Sequence, residues 1–232
     1  MRERLDAALA SRWATAALVL AAFAAFWLQS LAWPVQRGRD AWDYLVYYAS
    51  FFDGATPFPL VMLVRSPVTA FVLGLPMEIG GARLLEIVAS VLFVAMVVAW
   101  AAVVAPVSRL GAALAALVLL VTAPFAMPFH EPSSDMAASA GFALFCLGLA
   151  WTWRRPSVTR FAVLGLGVVG LTLVRPSYQS LLVAVVVPLA LPAPWRDRGL
   201  RTAGFLAAAL VPLVLWACLL YTSDAADEAR SV

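Results

Sequence analysis

Residues 13–33 run without one charged side chain, and no other feature restricts the fold of this chain as much. A helix of roughly 20 such residues crosses a hydrocarbon core of ~30 Å, and inside that core every backbone N–H and C=O must be satisfied within the segment. The run therefore predicts a membrane span. Trp13 and Trp33 bracket it as an interfacial belt would. A cleaved signal peptide is the rival reading, and the length of the run and the apolar segments after it argue against that. Further apolar segments occupy 84–105, 110–127, 136–153, 161–174, 177–191 and 202–217. With 64% hydrophobic and 12% charged residues, the composition fits no ordinary water-soluble domain. The expectation is an all-α, polytopic transmembrane helical bundle.

The basic residues set the expected topology. All of them are Arg, and they fall in short clusters between apolar runs, where topology signals belong. The formal charge of +3 therefore points to membrane orientation and not to nucleic acid. Placing Arg2, Arg4 and Arg12 in the cytoplasm, with Arg109, the cluster Arg154, Arg155 and Arg160, and the cluster Arg196, Arg198 and Arg201, leaves Arg37, Arg39, Arg65, Arg83 and Arg175 outside. Most acidic residues before the tail go the other way, so the outer face is expected to hold the chemistry. Segments 161–174 and 177–191 then form a hairpin of two short helices. Arg175-Pro176 makes its tip, recessed where protein and water can satisfy irregular backbone. Cys146 and Cys218 imply no disulfide framework.

Residues 34–83 form the longest non-spanning region. Asp40 and Asp43 stand three residues apart, so a helix would carry both on one face. Residues 40–53 read as an amphipathic aromatic helix, and 60–76 as a second helix lying at the interface, interrupted by Arg65, Ser66 and Pro67. A real extra span over the same residues is the alternative, and it would invert everything downstream. Residues 128–135, P-F-H-E-P-S-S-D, read as a short polar outer loop.

The tail is expected to be foreign. C-L-L-Y-T-S-D-A-A-D-E, from Cys218 to Glu228, agrees with one reading frame of a common transposon-based sequencing adapter. On that reading residues 218–232 are not a domain, the span opened at Thr202 is cut near Ala217, and the chain is the N-terminal part of a longer protein.

The order of motifs resembles the GT-C glycosyltransferases of the protein-mannosyltransferase type, in their bacterial form. G-R-D-A-W-D-Y-L matches the acidic motif before an aromatic helix in the first outer loop. V-R-S-P-V-T-A-F-V-L-G-L-P matches an Arg-Pro-Pro-like segment leading into an apolar interfacial helix. S-S-D-M-A-A-S-A matches a later outer loop entering a span, and G-L-G-V-V-G-L-T-L-V-R-P-S a Gly-rich helix ending in Arg-Pro. Ser66 replaces the first Pro of the second motif, and Asp135 stands where Glu is usual. The resemblance implies a GT-C-like bundle in a bacterial plasma membrane, N-terminus cytoplasmic and active site facing the periplasm or exterior. It implies sugar transfer from a polyprenyl-phosphate donor to an acceptor hydroxyl on a glycan, lipid or protein.

Such transfer needs a base for the acceptor hydroxyl and cationic donors for the departing phosphate. Asp40 matches the family's catalytic Asp. Asp43 is either a second acidic group or a charge favouring the helix N-terminus. Arg65 and Arg175 are the candidate phosphate ligands, set against simple snorkelling to headgroups. Glu131 and Asp135 are candidates for binding substrate or a divalent metal ion, yet Ser133, Ser134 or Asp135 could equally cap the following helix. His130 beside Glu131 supplies too few ligands for zinc. No other cofactor is implied. Tyr44, Tyr47, Tyr48, Phe51 and Phe52 would suit a sugar or an interfacial belt. Two other classes compete: a transporter or flippase of a lipid-linked or small substrate, for which internal repeats are lacking, and a scaffold subunit in which Asp40 is dispensable.

Overall fold

The computed structural model describes residues 11–36, 38, 40–52 and 66–230, with 219–230 described by backbone alone. Arg37, Arg39, Asp53, the Pro-rich turn and Arg65 lie outside the described residues. The protein is helical, with no strand among the described residues. Two compact units divide it, 1–147 and 148–232.

In the first unit, α1 (Arg12–Ala32) starts at Ser11, whose hydroxyl accepts the Ala14 N–H and satisfies one of the orphan donors of a helix start. Helix α2 (Ala41–Phe52) follows the first loop, as the aromatic pattern predicts. The apolar interfacial segment and the second expected span form one element, α3 (Pro67–Val104), bent at Gly81. Residues 60–65 of the expected 60–76 helix lie outside the described residues, and Ser66 and Pro67 stand where the described helix begins. They open it, since Pro at the first helical position forgoes an N–H that has no helical partner anyway. The helix also runs past Pro76 to Gly81, whose φ of 63° and ψ of −159° are open to glycine and strained for any other residue. Beyond the bend, residues 82–104 make roughly 34 Å of helix at 1.5 Å per residue, enough to cross a hydrocarbon core.

The third expected span is broken. Helix α4 (Arg109–Val121) and α5 (Ala123–His130) meet at Thr122 with a bend of 56°. Pro124 is the cause: it offers no N–H to the Leu120 carbonyl four residues earlier. The side-chain amide of Gln29 on α1 donates to that carbonyl instead, at 2.7 Å. Helix α5 also takes Pro128, Phe129 and His130 out of the expected polar loop, which starts only at Glu131. The core between these helices is aromatic, Phe93 lying 6.0 Å from Phe26 and 5.3 Å from Phe129, ring centre to ring centre. Helix α6 (Ser134–Arg154) starts in this unit and reaches into the second.

The second unit pairs α7 (Val158–Thr172) with α9 (Trp195–Arg230). Between them in sequence lie a 3-10 helix (Pro176–Val185) and the short α8 (Val186–Ala190), so 177–191 is not one α-helix. Gly165 makes the α7–α9 approach possible, because a Cβ there would stand 2.4 Å from the Phe205 carbonyl oxygen. The backbone of α9 stays helical through the tail to Arg230.

Against seven expected spans, four helices among the described residues are long and apolar enough to cross a membrane, or five if the bent α4–α5 pair counts as one. Helix α7, at 15 residues, gives only about 22 Å. Several spanning helices in one chain are the mark of a multi-pass membrane protein.

Candidate functional site

The end of the first unit where α1 stops is built from two loops held backbone to backbone. Helix α1 closes with the Trp33 N–H on the Gln29 carbonyl at 2.7 Å. The chain then crosses to α5, where the Gln36 N–H donates to the His130 carbonyl at 2.8 Å. Two residues on, a Cβ on Gly38 would lie 2.4 Å from the Pro132 carbonyl oxygen and 2.8 Å from that of Glu131. Only glycine lets the first loop lie against the 131–133 loop at this distance. The Gly38 carbonyl then accepts the Ala41 N–H at 3.1 Å and starts α2.

This path fixes Asp40 at the entrance of α2, half-buried, with its carbonyl accepting the Tyr44 N–H. Asp43 is half-buried in the first turn, where the helix dipole favours a carboxylate. Glu131 is half-buried and lies in the loop against which Gly38 packs. Asp135 is exposed in the first turn of α6, and its N–H is bound at 3.2 Å by the Ser133 hydroxyl, the capping arrangement considered for this stretch. The docked loops thus bring the segments that carry Asp40, Glu131 and Asp135 to one end of the unit. Among the described residues, no three His, Cys, Asp or Glu side chains form a set able to hold a metal ion. Arg65 lies outside the described residues. Arg175 belongs to the second unit, exposed at the entry of the 3-10 helix, where its N–H bonds the Leu171 carbonyl at 2.8 Å.

Two polar contacts here escape sequence reasoning. His130 is fully buried and not at an interface: its ring stacks on Phe26 at 4.6 Å and on Trp33 at 5.7 Å. Its Nε2 stands 3.4 Å from Gln29 Oε1, and Gln29 in turn holds the Leu120 carbonyl, so one side chain joins the end of α5 to the break before it. The second contact joins α2 to α3. Tyr48 lies across Gly74, where a Cβ would overlap its ring, and its hydroxyl donates to the Glu78 carboxylate. That hydrogen bond, with burial and the Glu78 charge adding to it, pushes the Tyr48 phenol above its ordinary value. The only sequence signal for either pair was a lone His and an acidic residue inside apolar surroundings.

Around them runs an aromatic wall. Tyr48 packs edge-on to Phe71 at 5.4 Å, and Phe51 and Phe52 lie 5.2 and 6.3 Å from the same ring. Trp42 and Phe52 are exposed, while Tyr44, Tyr47 and Tyr48 are buried, so α2 keeps its tyrosines for the interior. Tyr47 stacks on Phe51, and its hydroxyl has no hydrogen-bond partner among the described residues. Chemically, this end offers carboxylates held at a pinned loop, next to a surface on which a flat or amphipathic group could lie. Compared with protein-family models, with curated proteins and with solved structures, the chain has no match in any of the three.

Proposed function

We propose that the protein is a membrane glycosyltransferase of the GT-C type, moving a sugar from a polyprenyl-phosphate donor to an acceptor hydroxyl, with Asp40 as the general base. Asp40 takes the hydroxyl proton as the oxygen attacks the anomeric carbon, and the phosphate leaves with the electron pair of the broken glycosidic bond. Cationic side chains, Arg65 and Arg175 in this reading, steady the departing charge. Glu131 and Asp135 serve the acceptor side, and Asp43 sets the charge at the start of α2. The site faces the periplasm or exterior of a bacterial plasma membrane.

The observation that carries this reading is the pinned first loop. Gly38 against the carbonyls of Glu131 and Pro132, with Gln36 on His130, fixes the approach to Asp40 in a way that membrane insertion alone does not require. A base must be held within hydrogen-bond reach of its proton, and a loop clamped two residues upstream serves that need. The test is Asp40→Asn in the full-length protein, followed by sugar transfer from polyprenyl-phosphate donors. Loss of about 10²- to 10⁴-fold with unchanged helical content is expected. Transfer at the wild-type rate would remove Asp40 from the chemistry.

A transporter or flippase is the second reading, favoured by the 56° break between α4 and α5, since broken helices build many transport sites. Flux of a lipid-linked sugar across proteoliposomes without any transfer product would select it.

A further inference from the structure

At the opposite end of α1, the first unit holds an apolar cavity of about 530 Å³ between α1, α3 and α4. Ala101 on α3, Ala105 just beyond its end, Ala112 and Ala116 on α4, and Leu18 on α1 form its walls, and Leu120 lines its far end. Alanines on three neighbouring helices ordinarily let backbones approach closely. Here they leave a space as large as an ordinary small-molecule pocket. Left empty, its lining forfeits dispersion contacts along its whole length. The polar lining is confined to Thr15, near the start of α1, and Arg109, the first residue of α4. Arg109 is exposed, Arg12 stands two residues before the lining residue Ala14, and Trp13 is 71% exposed beside it. A cation in the lining of an apolar slot, with Arg12 and an exposed Trp13 at the start of the adjoining α1, makes the pattern of a membrane boundary that meets anionic headgroups.

We propose that this cavity is a binding site for one acyl chain of an anionic glycerophospholipid, with its phosphate on Arg109. Charge selects the occupant: a zwitterionic lipid could fill the slot equally well but would gain little at the mouth. The sugar donor does not suit the place. Helix α1 has 21 residues, about 31 Å, between this mouth and the loop that leads to Asp40. At the far end, the Leu120 carbonyl is held by the Gln29 amide of α1. A phosphate on Arg109 is therefore a membrane's thickness from the proposed chemistry, and the bound lipid supports the α1–α3–α4 packing without serving as donor.

Native mass spectrometry of the full chain, given equal amounts of a phosphatidylglycerol and a phosphatidylcholine with the same chains, tests this. Phosphatidylglycerol should be retained in preference. Arg109→Gln should lower its retention about fivefold, the weight of one cation near an anionic surface, and Arg109→Lys should restore it. Ala102→Phe with Ala113→Phe, both exposed positions in the lining, should expel both lipids while helical content stays unchanged. Equal retention of the two lipids, or a preference untouched by Arg109→Gln, overturns the proposal. So does phosphatidylglycerol that survives in the doubly filled variant. If a polyprenyl phosphate displaces phosphatidylglycerol at equal concentration, the cavity belongs to the donor and the proposal also falls.

Discussion

The two units use small residues in opposite ways. In the second, Gly165 and Gly204 bring α7 and α9 into touch, a Cβ on Gly204 standing 2.9 Å from Val158, and the product is a close helix pair such as lipid favours. In the first, Gly38 brings loops together and the alanines of α1, α3 and α4 leave a cavity. Buried polar side chains follow the same divide. Ser66, Thr69, Ser90, His130 and Ser134 lie in the first unit, and Thr152 is the one such residue described in the second. Burying polar groups costs free energy unless they are paired, so a bundle that only needs to span would avoid them. The first unit accepts that cost at five buried side chains, while in the second the Thr172 and Thr202 hydroxyls and one Arg201 nitrogen are buried without a hydrogen-bond partner among the described residues.

Arg175 is where this contrast is easiest to break. If the second unit contributes a phosphate ligand, Arg175→Gln removes a charge-assisted hydrogen bond of about 1.5–3 kcal/mol and slows transfer roughly 10- to 150-fold. Arg175→Lys should then recover part of the rate. Unchanged transfer in the Gln variant would confine the chemistry to the first unit. Kinetics on a full-length protein with a polyprenyl-phosphate donor supplies the measurement.

The glycines provide the next comparison, now in stability. Gly38→Ala and Gly165→Ala each force a methyl against a carbonyl oxygen that its Cβ would meet at 2.4 Å, and each should cost about 1–3 kcal/mol. The consequences should differ. Gly38→Ala separates the two loops and should lower transfer as well as the midpoint of thermal unfolding in detergent, whereas Gly165→Ala should lower the midpoint alone. Gly170, on the same helix as Gly165, meets nothing within 4 Å, so Gly170→Ala should stabilise by up to ~1 kcal/mol through helix propensity. A destabilising Gly170→Ala would mean that α7 has a neighbour on that side.

Four of the seven expected spans were legible, because a long apolar run has few folds open to it. The aromatic helix after Asp40 was legible too, from its spacing. What the sequence concealed was which groups meet across the chain. Pro124 sits in an apolar run where a span tolerates proline, and only Gln29, far away on α1, marks the place as a break. His130 reads as a loop residue beside Glu131 until Phe26 and Trp33 close over it. Nothing in R-G-R-D says that the space of a Cβ on Gly38 is already filled by Pro132. Pro67 shows a different limit: proline both ends and begins helices, and here the extended Ser66 before it and the helix after it mark a beginning. The proposed role of Asp40 rests on the motif around it, and the fold adds the close approach of Gly38 to the 131–132 carbonyls two residues upstream.

The smallest predicted effect concerns Tyr47. Its hydroxyl is buried without a partner among the described residues, and burial pushes the phenol from its ordinary 10.0 up to about 12. An unfolded chain ionises this group near pH 10 while the folded one still holds the proton. The folded state therefore loses stability as pH rises from about 10 to about 12, and the loss is complete once the folded group also ionises. Tyr47→Phe removes the stranded hydroxyl while keeping the ring against Phe51, so it should be neutral or stabilising by ~1 kcal/mol near neutral pH. It should also flatten the alkaline fall, leaving the part due to Tyr48, whose phenol is raised by its bond to Glu78. Thermal unfolding from pH 7 to 12, with tyrosinate absorbance read alongside, separates the two. A Tyr47→Phe protein that loses stability would show that the hydroxyl has a partner, a bound water or a substrate group, and would move Tyr47 from the interior of the first unit to its site.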